Sequence, residues 1–134
     1  MRIMLDTNIL ISIAIFNSDR LKQMLTEICD KHILVLSSYI IQEAEDVTER
    51  KFPKKRQAMY EFLFNLPYEL VYTPETILKE KILSIRDKKD IPVLYSAVIA
   101  DVDLLITGDK DFEDIKIEKP EILTVNQFMD KYLL

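Results

Sequence analysis

Short apolar segments alternate with longer stretches of helical periodicity along this chain, and that alternation limits the folds open to it. Apolar residues recur at helical spacing in segments such as Leu21, Met24, Leu25 and Ile28. Strands that alternate with helices favour a parallel sheet with helices packed on its faces. We therefore predict an α/β fold, a three-layer α/β/α sandwich with a short parallel sheet of four to five strands. The predicted strands are residues 2–5, 33–36, 70–72, 104–106 and, at an edge of the sheet, 121–124.

Helix-start signals occur at three points between or after these strands. Thr73 with Pro74 offers an N-cap residue followed by proline at the first helical position. Asp90, with a proline soon after it, is a second start, and Asn126 is predicted to begin the last helix.

Length and composition are those of a single globular domain spanning residues 1–134. The chain is 49% apolar and 31% charged, enough for a sizeable core, and it has no apolar run near the roughly 18 residues of a membrane helix. No signal peptide is expected, and a single cysteine, Cys29, rules out an internal disulfide, so we expect a cytoplasmic protein. The net charge of −5 argues mildly against bulk electrostatic binding of nucleic acid.

Four acids, Asp6, Glu43, Asp90 and Asp109, lie inside or at the end of apolar runs, where a lone carboxylate is costly to desolvate. Asp6 follows the first predicted strand and Asp109 follows the fourth, so both belong at the carboxyl edge of the sheet, where open parallel sheets bind ligands. Glu43 lies on the helix after the second strand, and Asp90 starts the helix before the fourth. All four can reach one crevice, and together they predict a divalent-metal site.

The arrangement of these motifs resembles the PIN domain, a nuclease fold found in RNA-processing enzymes and in many toxins of prokaryotic toxin–antitoxin systems. The resemblance spans essentially the whole chain. Its components are Asp6-Thr7-Asn8 directly after the first strand, Glu43 on the following helical segment, Asp90-Ile91-Pro92-Val93-Leu94 before an alanine-containing helix, and the block Leu104–Phe112. The resemblance implies an α/β/α fold and gives Asp6, Glu43, Asp90 and Asp109 the family's four catalytic acidic positions, with Asp111 as a further acid.

The activity implied is that of a Mg²⁺- or Mn²⁺-dependent endoribonuclease, which hydrolyses RNA phosphodiesters to a 5′-phosphate and a 3′-hydroxyl. Carboxylate oxygens are the ligands that these cations prefer. The expected metal ligands are Asp6, Asp90, Asp109 and Asp111, while Glu43 is expected to orient the attacking water or bind a second ion. The implied partners are an RNA substrate, a small antitoxin protein and a second copy of the chain in a homodimer. Candidate dimer surfaces are Leu63–Leu66 and the C-terminal Phe128, Tyr132, Leu133 and Leu134.

Polar residues beside the acids have predicted supporting roles. Asn8 and Thr107 are expected to hydrogen-bond the carboxylates and fix their rotamers, whereas Thr7 is expected to cap a helix. Lys88, Lys89 and Lys110 flank the acids and are expected to attract substrate phosphates. The run from Arg50 to Arg56 holds five cations, which either track an RNA backbone or form an ordinary solvated turn.

Other readings of the acids remain open. Asp6 and Asp90 could cap helices, Asp111 could cap a turn, and Glu43 could lie on a solvated helix face. A signalling receiver domain would need adjacent acids after the first strand and an acid after the third, and an aspartyl phosphatase would need Asp-X-Asp where this chain has Asn8. A catalytically silent PIN fold that binds RNA or protein is the alternative that the sequence leaves standing.

Overall fold

A computed structural model describes residues 1–74, 91–108 and 117–133 of the chain. Its strands are β1 (Arg2–Leu5), β2 (Ile33–Ser37), β3 (Glu69–Val71), β4 (Leu104–Ile106) and β5 (Glu121–Leu123). Its helices are α1 (Thr7–Phe16), α2 (Asp19–Lys31), α3 (Ser38–Lys51), α4 (Arg56–Asn65), α5 (Ile91–Ile99) and α6 (Val125–Tyr132), with a short 3₁₀ turn at Pro53–Lys55.

The strands form one parallel sheet in the order β3-β2-β1-β4-β5. All five predicted strands are confirmed, with ends that differ by at most one residue, and β5 lies at an edge as predicted. Strands β2 and β3 lie on one side of β1, and β4 and β5, which come later in the chain, lie on its other side. The strand order therefore changes direction between β1 and β4, the position where open α/β sheets bind ligands.

Both faces of the central sheet are covered. Ile3, Met4 and Leu5 are consecutive in β1 and all fully buried, as are Leu105 and Ile106 in β4. Because successive strand residues point to opposite faces, this burial requires packing on each side of the sheet. The predicted α/β/α sandwich is thus confirmed. Among the described residues, no helix has both the length and the apolar composition that crossing a membrane requires.

A second, smaller core joins helices α1, α3 and α4. It contains Ile11, Ala44, Met59 and Leu63, all buried. Leu63 was predicted to lie on an exposed dimer surface, and that placement is wrong because this residue faces inward on α4. The outward side of α4 carries other apolar residues, described below.

The C-terminal helix also differs from its prediction. Thr124 is the N-cap of α6: its Oγ1 accepts from the Gln127 amide at 3.1 Å, and the Gln127 side chain accepts from the Thr124 amide at 2.9 Å. The helix therefore begins one residue before the predicted Asn126. Phe128, expected on an exposed contact surface, is fully buried in the main core. The helix predicted to start at Thr73-Pro74 and the predicted helix start at Asp90 fall on residues outside the described ranges.

Candidate active site

Asp6 is fixed at the carboxyl end of the central strand by its own backbone. Its amide donates to the Ile106 carbonyl at 3.0 Å, and its carbonyl accepts from the amides of Ile9 and Leu10 at the start of α1. The residue is 5% exposed. Although Asp6 occupies the N-cap position of α1, its side chain makes no capping hydrogen bond, so the capping alternative does not account for the carboxylate.

Thr107 brings the end of β4 to the same carboxylate. Its amide donates to the Leu123 carbonyl at 2.9 Å, and its Oγ1 donates to Asp6 Oδ2 at 2.6 Å. The threonine is 2% exposed. This hydrogen bond crosses between β1 and β4, where the strand order changes direction. The proposal that Thr107 fixes the rotamer of a catalytic carboxylate stays a prediction, and the contact is the geometry it needs.

Thr7 and Asn8, the two residues after Asp6, differ in their burial. Thr7 is not the cap that was predicted, because it is the first helical residue of α1. It is buried, and its Oγ1 has no hydrogen-bond partner within the described part of the chain. A buried hydroxyl without a partner is costly and marks a place where a water or ion can bind. Asn8 is exposed beside it, and its predicted contact with the carboxylates stays a prediction.

Glu43 lies on α3, the helix after β2, where it was predicted. The hydroxyl of Tyr39 donates to its Oε2 at 3.0 Å, across one helical turn. Both side chains are half-buried, whereas Asp46 and Glu49 on the same helix are exposed. Glu43 is therefore less exposed than Asp46 and Glu49, as is its neighbour Glu45. Tyr39 was missed by the sequence reasoning, although a tyrosine four residues before a candidate acid is a signal that could have found it.

Hydroxyl groups connect three elements around this glutamate. The amide of Tyr39 donates to Thr73 Oγ1 at 3.3 Å, and the amide of Thr73 donates to Ser38 Oγ at 2.9 Å. Thr73 Oγ1 and Ser96 Oγ lie 2.8 Å apart, and Ser96 is buried in α5. The start of α3, the end of β3 and the body of α5 are thereby held together. Because Asp90 directly precedes α5 in the chain, the network also holds the helix that follows that acid.

A profile of the PIN domain matches residues 2–111. The chain belongs to the PIN domain family. No match is found among curated protein sequences.

Solved structures with the same fold include two toxin–antitoxin complexes. VapBC2 from Rickettsia felis, bound to a DNA fragment from its promoter, has a TM-score of 0.69 and 21% identity, covering 92% of this chain and 97% of that one. DNA-bound VapBC from Salmonella typhimurium has a TM-score of 0.69 and 18% identity, covering 93% and 98%. VapC20 from Mycobacterium tuberculosis, a toxin that cleaves the sarcin-ricin loop, has a TM-score of 0.62 and 11% identity, covering 83% and 92%. At these identities the likeness shows the shared fold.

Part of the predicted site of this PIN domain lies outside the described residues. Asp90, Asp109 and Asp111 belong to that part, as do Lys88, Lys89 and Lys110. Within the described ranges, His, Cys, Asp and Glu form no group of three or more that could hold a metal. Of the four predicted metal ligands, the described residues include Asp6.

The side chains around Asp6 suit a cation that is bound through oxygen atoms. At the ends of β1 and β4 the described residues offer oxygen atoms from the Asp6 carboxylate, the Thr107 hydroxyl and the Thr7 hydroxyl, which has no partner in the described part of the chain. The softer ligands lie elsewhere, because His32 precedes β2 at the opposite edge of the sheet and Cys29 lies on α2. Hard oxygen donors without imidazole or thiolate suit Mg²⁺ and Mn²⁺.

Proposed function

We propose that this PIN domain is a metal-dependent endoribonuclease and the toxin of a toxin–antitoxin pair. The observation that carries the proposal is the buried Asp6 carboxylate, held by Thr107 at the switch point of the sheet. Family membership supports it, and so does the shared fold with VapC20, a toxin that cleaves the sarcin-ricin loop.

Each acid has a proposed task in the hydrolysis. Asp6 would hold a divalent cation together with Asp90, Asp109 and Asp111. Such an ion, when bound, lowers the pKa of a ligated water and neutralises charge on the phosphate oxygens. Glu43, held by the Tyr39 hydroxyl, would orient the attacking water.

The reaction forms a bond between the water oxygen and phosphorus and breaks the bond from phosphorus to the 3′ oxygen. The water gives up a proton, the 3′ oxygen takes up a proton as it leaves as the hydroxyl of the upstream fragment, and the phosphate stays on the 5′ oxygen of the downstream fragment. Lys88, Lys89 and Lys110 are proposed to attract the phosphates of the strand, because all three flank the acids in the sequence.

An antitoxin partner and a homodimer belong to the same proposal. The antitoxin partner is supported by the fold shared with two VapBC complexes. A small protein bound across the carboxyl edge would silence the nuclease by blocking the acids.

The test is cleavage of a labelled, mixed-sequence single-stranded RNA with and without Mn²⁺ or Mg²⁺. We expect metal-dependent cutting by the wild type, loss of cutting in Asp6→Asn, and unchanged cutting in Asp130→Asn, a control at an exposed position on α6. Asp6→Asn keeps the shape of the side chain and removes its charge, so the fold should be retained by circular dichroism. Cutting by a clean Asp6→Asn preparation would contradict the site. Absence of both cutting and metal binding would favour the silent scaffold.

A further inference from the structure

The corner between α3 and α4 concentrates positive charge. It holds five exposed cations, Arg50, Lys51, Lys54, Lys55 and Arg56, which we call the basic corner. Arg56 is engaged locally, with its guanidinium donating to Glu49 at 2.8 Å and to the Pro53 carbonyl at 3.2 Å. The other four form no ion pair within the described residues. In a protein with a net charge of −5, this cluster stands apart from the rest of the chain.

Local electrostatics explains only part of this cluster. Arg50 and Lys51 lie in the last turn of α3, where cations interact favourably with the helix dipole. Lys54 and Lys55 lie before α4, at the end where the dipole disfavours positive charge. Lys55 is the N-cap residue of α4, its side chain makes no capping bond, and the first turn holds no acid. The lysines at this end are therefore placed against the helix field, and a bound anion would offset that cost.

The outward side of α4 adds two aromatic rings. Tyr60 is 49% exposed and Phe64 is 90% exposed. They are four residues apart, so they lie on one side of the helix with about 6 Å of axial rise between them. Met59 and Leu63, on the inward side, are buried in the small core. Helix α4 is thus apolar on two sides, of which one is covered and one, here named the aromatic stripe, is open.

We infer that the basic corner and the aromatic stripe together bind single-stranded RNA, with phosphates on the cations and bases stacked on the rings. The inference rests on the proposed function in that it takes RNA as the substrate. Helix α3 connects the basic corner with the candidate active site. Its residues Lys51 and Glu43 are eight positions apart, which is about 12 Å along the helix axis. An RNA strand bound at the basic corner could therefore continue along α3 toward the carboxyl edge of the sheet.

Charge complementarity favours RNA over a protein occupant. An apolar helix would cover Tyr60 and Phe64, but it would leave the unpaired lysines at the N-terminal end of α4 without partners. Single-stranded RNA offers a phosphate and a planar base in every repeat, so one ligand satisfies both features. Protein docking on the stripe is the competing outcome that the experiment must distinguish.

The experiment measures binding without cleavage. The full chain carrying Asp6→Asn, in buffer with EDTA, is titrated against a fluorescein-labelled mixed-sequence 12-mer RNA by anisotropy over a series of KCl concentrations. Lys54→Ala with Lys55→Ala should weaken binding and reduce the slope of log K against log salt by about 1.4, the value for two phosphate contacts on a single strand. The matched control is Lys22→Ala with Lys31→Ala on α2, which removes the same charge and should leave the slope unchanged.

The aromatic stripe is tested separately at fixed salt. Phe64→Ala should weaken RNA binding about 5- to 150-fold, the range for loss of one stacked base, with the salt slope unchanged. Because Phe64 is almost fully exposed, its removal should not disturb the fold. The control is Ile33→Ala, an apolar side chain at the start of β2 that is 51% exposed and lies outside both the stripe and the basic corner. It should bind RNA as the parent does.

Three results would overturn the inference. The Lys54/Lys55 and Lys22/Lys31 double variants could change the slope equally, which would indicate only a net-charge effect. RNA affinity could be unchanged in both the Lys54/Lys55 variant and Phe64→Ala. Phe64→Ala could bind RNA normally but dissociate a dimer in light scattering, which would make the stripe a protein contact. If the wild type still cuts RNA with metal in these cases, the ribonuclease proposal is kept and the RNA-binding surface is rejected. If RNA binding depends on the basic corner but no metal-dependent cutting is seen, the RNA-binding surface is kept and the ribonuclease proposal is rejected.

Discussion

The hydroxyl of Thr107 donates a 2.6 Å hydrogen bond to Oδ2 of Asp6, and the two residues directly follow the paired strand ends Leu5 and Ile106. Two adjacent parallel strands thus end in one buried donor–acceptor pair. The bond gives the carboxylate a fixed orientation before any ligand arrives, which is the preorganisation that a metal site requires.

Thr107→Val should therefore lower both stability and metal affinity. The buried hydrogen bond to a carboxylate is worth about 1.5–3 kcal/mol, and valine keeps the shape of threonine. Urea denaturation and the Mn²⁺ midpoint of the thermal shift measure the two effects. The control is Thr48→Val, which loses a 2.7 Å bond from a buried hydroxyl to the Ala44 carbonyl on α3. It should lower stability alone, and an equal shift of the Mn²⁺ midpoint in both variants would contradict a role for Thr107 in holding Asp6.

Thr7→Val should have the opposite effect on stability. The buried Thr7 hydroxyl has no partner among the described residues, so replacing it with a methyl group removes a desolvation cost. We expect the free energy of unfolding without metal to rise by about 1 kcal/mol. Urea denaturation beside Thr48→Val gives the comparison, and a decrease of similar size in both would show that the Thr7 hydroxyl is bonded.

Tyr39→Phe should slow RNA cleavage without weakening RNA binding. It removes the 3.0 Å bond to Glu43, worth about 1 kcal/mol, which corresponds to a roughly fivefold decrease in kcat. KM should be unchanged because Glu43 is proposed to orient water. Tyr132→Phe is the matched control, since it loses a 2.8 Å bond to Glu121 far from the carboxyl edge. Equal losses of kcat in the two variants would indicate a general effect on the fold.

Mn²⁺ should raise the melting temperature of the wild type. A ligand that binds only the native state stabilises it, by about 2.7 kcal/mol at a concentration of 100 times Kd. Differential scanning fluorimetry with millimolar Mn²⁺ measures the shift, and Asp6→Asn should abolish it while Asp130→Asn keeps it. A wild type that shows no shift would contradict a preformed cation site.

Acidification should destabilise the fold through the amino edge of the sheet. The pKa of Asp103 is lowered because its carboxylate accepts the Arg2 amide at 2.8 Å, and the pKa of Glu121 is lowered by hydrogen bonds from Lys131 and Tyr132. Folded-state pKa values below the unfolded ones mean that the folded chain binds fewer protons, so stability rises with pH in this range. The contribution is complete above the ordinary glutamate value of 4.5 and is lost as the pH falls through the lowered values.

Urea midpoints measured between pH 6 and pH 3, on the order of half a pH unit apart, test this dependence. Asp103→Asn and Glu121→Gln should each flatten the decrease in stability on acidification, because each removes one group that must take up a proton. A decrease as steep in both variants as in the wild type would assign acid sensitivity to other carboxylates.

The fold could be predicted because the central strands are continuous apolar runs. Residues 3–5 and 104–106 have no polar interruption, so both the strand and its burial follow from composition. The edge strand β3 begins one residue before its predicted start, at Glu69, a poor strand former, because that residue pairs with Val35 and its side chain binds Arg2. Such contacts lie far apart in the sequence and leave no local signal.

The sequence predicted the positions of Asp6 and Glu43 and the contact of Thr107 with Asp6, but not the other polar contacts around them. Asp6 and Glu43 follow from their positions relative to strands, and both lie where expected. The hydroxyl network through Thr73 and Ser96 depends on contacts between residues 23 or more positions apart, so periodicity and spacing carry no trace of it. The remaining acids and lysines of the predicted site fall outside the described residues and stay predictions.

The two ends of the sheet differ in the kind of group that binds them together. At the amino edge Arg2 pairs with Glu69, and Lys119 pairs with Asp101 and Asp103, so charged groups make these connections. At the carboxyl edge the connections around Thr73 and Thr107 are made by hydroxyls. A hydroxyl exchanges donor for acceptor by turning about a single bond. The Thr73 and Ser96 hydroxyls can therefore exchange donor and acceptor roles while the backbone stays in place, whereas the Thr107 hydroxyl is the donor to the Asp6 carboxylate.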